Sequence, residues 1–269
     1  MAARFNEASL HHLGVSLPHM DAGELWSIGD YAVIGELWSE AGREVAASLH
    51  VEARDVADLA TGTGVAALEV ARRGARSVVG VDASQKMLDE ASDRAEREGL
   101  AIEWIKADFA SVPLPDQSAD IIVSTFGLMF ASDPETAFGE ARRMLRDDGL
   151  LVFTSWSATG FFGQLFEVMA KHFPERPEPW HETPEGIRTV VGDSAVVVEE
   201  SFEMLLESPE WFVTQLEQFS APFIVAIERL GDEWEHVRDE LLAATTELTT
   251  QAEDGYCADV HYLVTRLTY

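Results

Sequence analysis

The chain has 269 residues and is 46% hydrophobic, and its 19 basic against 48 acidic side chains give a formal net charge of −29. This apolar content is enough for the core of one elaborated domain. A surface this acidic repels phosphate backbones and anionic lipid headgroups, so nucleic acid and stable membrane association are excluded as partners and a small-molecule substrate is expected.

Cysteine usage and hydropathy set further limits. A single cysteine, Cys257, excludes a disulfide framework. No N-terminal apolar stretch resembles a signal peptide, and no apolar run reaches the roughly 18 residues that would span a bilayer, so a cytoplasmic protein is expected. The histidines are scattered and have no partner cysteines, so no metal site is predicted. Like-charge repulsion leaves monomer and homodimer both open.

The N-terminal segment, residues 1–45, lies outside any strand pattern. Residues 25–38 space their apolar side chains as an amphipathic helix does, which predicts a helical cover for the segment that follows. Trp26 and Tyr31 lie on this predicted helix. Either they face a ligand pocket, or they anchor the helix to the domain, which is the commoner use of aromatic side chains.

Residues 46–157 alternate strand and helix signals. Strands are predicted from residue 55 and at 77–82, 102–109, 120–126 and 149–156, and helices at 65–74, 84–98 and 134–146. The run 120–126 is rich in β-branched side chains, as buried strands of a parallel sheet are. This alternation predicts a doubly wound α/β domain.

The turn after the first of these strands predicts a nucleotide site. Gly62 and Gly64 stand between strand and helix, where a ligand can approach bare backbone at a helix N-terminus. Together with Ala67 and Asp82 they satisfy the dinucleotide fingerprint, which leaves a nicotinamide cofactor open. Asp58, just before the turn, would repel a pyrophosphate but attract a ligand that carries an ammonium and a sulfonium. The balance therefore favours S-adenosylmethionine.

Residues 158–269 predict lid insertions and the last two strands of the sheet. Helices are predicted at 160–173, 209–219 and 222–251 and from residue 184, strands at 196–206 and 260–267, and a proline-rich loop at 174–184. The three segments 1–45, 46–157 and 158–269 are expected to form one integrated domain.

Four segments in order resemble the class I S-adenosylmethionine-dependent methyltransferases: residues 58–64, 80–84, 106–109 and 142–149. Within that family the chain is most similar to the branch that contains the ubiquinone/menaquinone C-methyltransferases and many small-molecule methyltransferases. The similarity covers about residues 45–157. It implies a Rossmann-like, seven-stranded mixed sheet with helices on both faces, an N-terminal cover helix and a helical lid.

The resemblance also implies roles for individual residues. Asp58 would reach the amino group of the methionine portion, Asp82 would hold the ribose hydroxyls, and Asp108 would accept a hydrogen bond from the adenine amino group. Asp108 could instead be an exposed strand-end carboxylate, and Met87 could be ordinary helix packing. The implied cofactor contacts together are Tyr31, Asp58, Ala60, Thr61, Gly62, Gly64, Asp82, Ala83, Met87, Asp108, Phe109 and Ser124.

The acceptor pocket and the catalytic groups are less well determined by the sequence. An apolar pocket mouth is predicted from Trp26, Phe126, Met129, Phe130 and Phe161. These side chains could equally belong to the core between sheet and helices. A general base matters only where the accepting atom carries a proton of high pKa. His181 and His172 are the candidates for that base, and each could instead be a packing or surface histidine.

These observations predict an S-adenosylmethionine-dependent methyltransferase that transfers a methyl group to a small, hydrophobic or aromatic metabolite by in-line displacement. Two alternatives stay open. One is an S-adenosylmethionine-binding protein without methyl transfer, which would be regulatory or would catalyse a cofactor-assisted rearrangement. The other is a nicotinamide-dependent oxidoreductase, which the dinucleotide fingerprint around Gly62 allows.

Overall fold

The computed structural model describes residues 8–10, 15–17, 20–173 and 178–269. The strands are β1 Ala8–Leu10, β2 Val15–Leu17, β3 Asp55–Leu59, β4 Ser77–Asp82, β5 Glu103–Lys106, β6 Ala119–Ser124, β7 Leu145–Trp156, β8 Val196–Leu206, β9 Thr249–Ala252 and β10 Gly255–Thr268. The α-helices are α1 Ala22–Leu25, α2 Tyr31–Ile34, α3 Ser39–Ala47, α4 Val65–Arg72, α5 Gln85–Glu98, α6 Pro134–Met144, α7 Phe161–Ala170, α8 Pro184–Val191, α9 Pro209–Phe219, α10 Ala221–Leu230 and α11 Trp234–Glu247.

Eight of the ten strands in the described residues form one sheet, in the order β5-β4-β3-β6-β7-β10-β8, with β9 beside β10. β1 and β2 pair with each other in a separate sheet. β3 to β7 run parallel, whereas β10 is antiparallel to β7, β8 and β9. The predicted mixed sheet of an α/β fold is confirmed, and β9 adds a strand to the seven expected. Because strand order reverses between β3 and β6, the loops at their carboxyl ends open a crevice, which is where open α/β sheets bind ligands.

Successive residues of the central strands enter two different cores. In β6, Ile121 and Val123 join one buried cluster and Ile122 joins the other, as the two-residue period of a strand requires. Helices α3, α4, α7, α9, α10 and α11 contribute to the first cluster, and α6 and α8 to the second. None of the helices among the described residues is long and apolar enough to cross a bilayer.

The N-terminal cover is not the single helix predicted over 25–38. Helix α1 ends at Leu25, the chain turns at Gly29 (φ +69°), and α2 begins at Tyr31. A Cβ at Gly29 would lie 2.5 Å from the carbonyl oxygen of Phe219, so the break is fixed by a contact with the distant helix α9. Asp30 then caps α2 by accepting from the amide of Ala32. Residues 1–7, 11–14 and 18–19 of the predicted cover lie outside the described residues, as do residues 174–177 of the predicted proline-rich loop.

The helix predicted over 222–251 is also wrong as a continuous element. Helix α10 ends before Gly231, whose φ of +53° favours glycine. Helix α11 follows after one short turn and ends at Glu247. The β-branched residues Thr249 and Thr250 then start β9, which pairs with the beginning of β10.

An arginine–carboxylate network ties together the amino-terminal ends of three strands. Arg146 of β7 lies 2.8 Å from the Asp55 carboxylate of β3 and 2.9 Å from that of Asp120 in β6. Asp120 also accepts from the Asp55 amide at 2.8 Å. Hydrogen bonds from Arg76, and to a smaller extent from Ser77 and Arg146, hold the pKa of Asp55 well below its usual range.

Replacing Arg146 with methionine is expected to lower the free energy of unfolding by about 1–2 kcal/mol at pH 7, because two largely buried carboxylates lose a shared partner. A depressed folded-state pKa stabilises the protein above the unfolded-state value of about 3.9, and that contribution fades as the pH falls further. The difference from wild type should therefore shrink below about pH 4. Urea denaturation at pH 7 and pH 3 measures it. The exposed Arg73→Met is the matched control, and equal losses in the two variants at pH 7 would contradict the network's role.

Candidate active site

A cleft lies at the carboxyl edge of the sheet, between the turn after β3 and the N-terminal helices. It encloses about 890 Å³ of empty space, with its open mouth included. Its walls include Ala22, Trp26, Tyr31, Trp38, Ser39, Gly42, Ala60, Thr61, Gly62, Thr63, Val65, Asp82, Ala83, Met87, Ala107, Asp108, Phe109, Thr125, Phe126, Gly127 and Phe130. Nine of the twelve residues implied as cofactor contacts are therefore gathered in one cleft.

The turn after β3 presents bare backbone to this cleft. Ala60, Gly62 and Gly64 all have positive φ, at 53°, 54° and 83°. A Cβ at Gly62 would meet nothing closer than the Tyr31 ring at 3.6 Å, so the turn leaves open space beside its amides. Gly64 itself packs against α5 and β5 rather than lining the cleft, since a Cβ there would lie 3.1 Å from Ala91 and Trp104.

Asp82 is held at the end of β4 by backbone amides. One carboxylate oxygen accepts from the Gly62 amide at 2.9 Å and the other from the Ser84 amide at 2.8 Å. Burial raises the pKa of Asp82 to about 6, against the lowering effect of these amides. A carboxylate fixed in this way at the cleft wall can accept hydrogen bonds from a vicinal diol such as that of a ribose.

Asp58 lies directly behind the turn, buried to 1% exposure. Its Oδ2 accepts from the Thr61 hydroxyl at 2.6 Å and from the Ala67 amide at 3.0 Å, while its Oδ1 is buried and has no hydrogen-bond partner. Burial, and to a lesser extent the charge of Asp82, raise the pKa of Asp58 to about 7. Two buried carboxylates beside one turn, one of them with an unsatisfied oxygen, fit a cationic ligand and disfavour a pyrophosphate.

One part of the cleft, which we call the slot, is lined by Asp108, Ala83, Met87 and Phe109. Asp108 accepts from the Ala110 amide at 2.8 Å through one carboxylate oxygen, so the other oxygen is available to a ligand. Ala83, Met87 and Phe109 form the apolar walls beside it. Met87 is 4% exposed, so the same side chain both packs in the core and lines the slot.

Three further residues expected at the site lie outside both the cleft and the apolar cavity that adjoins it. Ser124 is fully buried and its hydroxyl accepts from the Leu128 amide at 3.1 Å, whereas the next residue, Thr125, lines the cleft instead. Met129 and Phe161 are each 2% exposed and belong to the core between the sheet and the helices. For these two residues the structure shows packing in the core, which was the alternative to a place in the pocket mouth.

Neither candidate histidine lines the cleft or the apolar cavity that adjoins it. His181 is 2% exposed, and its carbonyl oxygen accepts from the Ser155 hydroxyl. Its ring meets Trp180, which packs with Phe138 on the face of the sheet covered by α6. His172 lies just after α7 and pairs with Glu240 of α11 at 2.9 Å. Within the described residues, no group of three or more histidine, cysteine or acidic side chains could hold a metal ion.

Replacing His172 with glutamine is expected to leave kcat/KM of the reaction proposed below within about twofold of wild type, because the side chain touches neither cavity. Glutamine keeps a donor for Glu240, so the α7–α11 contact is retained. The comparison of kcat/KM at pH 6.5 and 8 tests this expectation. A loss of tenfold or more, or a shifted pH profile, would return His172 to the list of candidate bases.

A second, apolar cavity adjoins the cleft and has about 530 Å³ of empty space, with its open mouth included. Five aromatic residues line both cavities and form what we call the aromatic neck: Trp26, Tyr31, Trp38, Phe126 and Phe130. Beyond the neck the wall is built by Ile34, Trp156, Phe162, Phe166, Leu216, Ser220, Pro222 and Phe223. Trp26, Phe126 and Phe130 were expected in such a pocket, whereas Trp38, Trp156 and the contributions of α9 and α10 were missed.

The hydroxyl of Tyr31 is the best-fixed polar group in the aromatic neck. The indole N–H of Trp38 donates to its oxygen at 3.1 Å, so the hydroxyl proton is free to be donated to a ligand. Burial raises the pKa of Tyr31 to about 12, and this residue is therefore neutral near pH 7. The ring also packs on Gly35, where a Cβ would lie 2.6 Å from it.

Comparison with known proteins agrees with this geometry. Residues 57–153 match a family described as "Methyltransferase domain". An uncharacterised protein of Mycobacterium tuberculosis is 30% identical over 152 residues, which are 56% of this chain and 55% of the relative. The demethylmenaquinone methyltransferase of Thermus thermophilus is 36% identical over 129 residues, 47% of this chain and 59% of that protein. The chain thus spans little more than half the length of these curated relatives.

The crystal structure of the YcgJ protein from Bacillus subtilis superposes with a TM-score of 0.58 at 18% identity, and covers 85% of this chain and 98% of that one. This likeness concerns the fold, and its coverage of 85% of the chain extends beyond the matched domain. Sequence match, fold and cleft agree with one another. Residues 57–153 of the chain are thus similar to the family described as "Methyltransferase domain".

Proposed function

We propose that the protein binds S-adenosylmethionine in the cleft and transfers its methyl group to a small apolar acceptor in the adjoining cavity. The observation that carries this proposal is the junction of the two spaces. A cleft lined by the carboxylates of Asp82 and Asp108 shares the aromatic neck with a cavity lined mainly by aromatic and aliphatic side chains. A donor in the first space and an acceptor in the second would meet at that neck.

Residues on the cofactor side would bind and orient the donor. Asp82 accepts hydrogen bonds from the ribose hydroxyls, and Asp108 accepts one from the adenine amino group. Asp58 provides negative charge behind the methionine portion. When bound, S-adenosylmethionine supplies an activated methyl group on a sulfonium. The protein's contribution is then to align the acceptor and exclude water, which a cavity lined by aromatic side chains favours.

The proposal is tested in two steps. Calorimetric titration with S-adenosylmethionine, S-adenosylhomocysteine and NADH, at low and high salt, should show saturable binding of the first two and none of NADH. Incubation with methyl-labelled S-adenosylmethionine and the apolar fraction of a metabolite extract should then give labelled products. Binding of NADH alone would favour the oxidoreductase and refute the proposal.

A second candidate is binding of the same cofactor without methyl transfer. One observation favours it: among the described residues that line the apolar cavity, none is histidine, lysine, cysteine or an acid, so no side chain there can act as a general base. Tight cofactor binding with no transfer of label to any extract fraction would favour this candidate. We also propose a small molecule as the only required partner, with the protein acting as a monomer or a homodimer.

A further inference from the structure

The rings of the aromatic neck, which line both the cleft and the apolar cavity, contact one another in a series that we call the belt. Phe130 meets Trp26 with ring centroids 4.7 Å apart at 68°, and Trp26 meets Tyr31 at 6.0 Å and 87°. Tyr31 meets Trp38 at 6.1 Å and 65°. The steep angles place neighbouring rings as adjoining walls rather than as a flat stack. Such boxes attract positive charge, because each ring face is negative.

The belt continues through a residue beyond the neck. Trp38 meets Trp156 at 5.7 Å and 86°, and Trp156 stacks on Phe126 at 3.9 Å. Every ring of the neck is thereby joined to the next, and three of the joined residues are tryptophans. Tryptophan faces provide the strongest cation–π attraction of the natural side chains.

The apolar cavity supplies no group that could remove a proton from the acceptor. Tyr31 is the one titratable side chain among the described residues lining it, and its raised pKa keeps it protonated. Phenols, thiols and carbon acids must lose a proton to become strong nucleophiles. An ionised form of any of them would enter an apolar cavity that holds no cationic side chain among those residues. An uncharged amine needs no base, because its lone pair is already available.

The net charge of −29 also favours amine acceptors over acceptors that ionise to anions. A field of this sign raises the local concentration of cations and lowers that of anions. Amines approach such a surface as ammonium ions, and desolvation in an apolar cavity then favours the uncharged form that can react. A product with a fixed positive charge would form beside the aromatic neck, whose rings can attract it.

Resting on the proposed function, we propose that the acceptor is a tertiary or secondary amine on an apolar body, and that the aromatic neck binds the positive charge as it moves to nitrogen. The nitrogen lone pair forms the new N–C bond to the methyl carbon as the C–S bond breaks and leaves its electron pair on sulfur. Sulfur becomes a neutral thioether and nitrogen an ammonium. A tertiary amine has no proton to lose, and the proton of a secondary amine leaves to water after transfer.

An isosteric pair of probes tests the neck without requiring turnover. Benzyltrimethylammonium and neopentylbenzene differ by a positively charged nitrogen in place of a carbon. Binding is measured by the quenching of tryptophan fluorescence, with and without S-adenosylhomocysteine. We expect the ammonium to bind at least about tenfold more tightly than neopentylbenzene, and Trp26→Leu to reduce that ratio to about threefold or less. A ratio near one in wild type would overturn the proposal.

Turnover of matched acceptors separates this inference from the proposed function. N,N-dimethylbenzylamine, p-cresol and benzyl mercaptan are incubated with trideuteromethyl-labelled S-adenosylmethionine, and the products are identified by mass spectrometry. A higher kcat/KM for the amine than for the other two supports the inference. A higher kcat/KM for cresol or the thiol would overturn it and leave the methyltransferase proposal intact. If none of the three acceptors is methylated, the ratio of the dissociation constants of neopentylbenzene and benzyltrimethylammonium decides the inference. Absence of S-adenosylmethionine binding would count against the proposed function alone.

Discussion

Asp82→Ala is expected to weaken S-adenosylmethionine binding by at least about 100-fold. A ribose diol would donate two hydrogen bonds to this carboxylate, and hydrogen bonds to charged groups contribute about 1.5–3 kcal/mol each. The alanine also removes the acceptor of the Gly62 and Ser84 amides, at 2.9 and 2.8 Å, so the turn beside the cofactor loses its anchor. Calorimetric titration at pH 8 measures the change in Kd.

Two further variants separate loss of the ribose contact from loss of the turn. Asp82→Asn keeps the shape and one acceptor oxygen, and should still lose about tenfold or more because a neutral amide accepts more weakly. Asp93→Ala, an exposed position on the following helix α5, is the matched control and should bind as wild type does. If all three variants bind S-adenosylmethionine equally well, Asp82 does not hold the cofactor and the cleft has been assigned to the wrong ligand.

The parallel half of the fold could be predicted from the sequence because its signals are local. Helix α5 was expected at 84–98 and spans Gln85–Glu98, and β4 was expected at 77–82 and spans Ser77–Asp82. Both depend on periodicity and turn residues within a few positions. The break at Gly29 could not be predicted, since its cause is the carbonyl oxygen of Phe219, which lies in another helix far along the chain.

The candidate site likewise has one part that local sequence signals predict and one part that depends on contacts between distant segments. The turn around Gly62 and the carboxylates at the ends of β3 and β4 are close in sequence, so their pattern indicated a cofactor cleft. The apolar cavity is assembled from the N-terminal helices, the end of β7, and helices α7, α9 and α10. Hydrophobic spacing gives the buried face of each helix but not which faces meet. For that reason Trp38 and Trp156 were missed, and the pocket and core interpretations of Phe161 could not be separated from the sequence.

Asp58→Asn is expected to stabilise the free protein at pH 8 and to weaken cofactor binding. Asparagine can present one oxygen to the Thr61 hydroxyl and the Ala67 amide, which Asp58 contacts at 2.6 and 3.0 Å, and it places a neutral amide nitrogen where the unpartnered Oδ1 now lies. The variant therefore keeps the local structure and removes only the charge. S-adenosylmethionine affinity should fall by about tenfold or more, since a charged partner is replaced by a neutral one.

The pH dependence of the wild type follows from the raised pKa of Asp58, about 7, and of Asp82, about 6. Both lie above the unfolded value of about 3.9, so the folded protein holds extra protons between about pH 4 and 7 and loses stability as the pH rises through that window. The asparagine side chain of the variant cannot ionise, so the advantage of Asp58→Asn in urea denaturation should be small at pH 5 and largest above pH 7.

Cofactor binding has the opposite pH dependence, because a cationic ligand prefers both carboxylates ionised. The wild-type Kd should fall as the pH rises from 5.5 to 7.5, by up to about tenfold per unit for each group that must ionise. Calorimetry at pH 6.5 in phosphate and in imidazole should detect proton release on binding. In Asp58→Asn, only the pH dependence of Kd and the proton release that are due to Asp82 should remain. A wild-type affinity that is flat from pH 5.5 to 7.5, with no proton release, would show that the buried carboxylates do not meet the positive charge of the ligand.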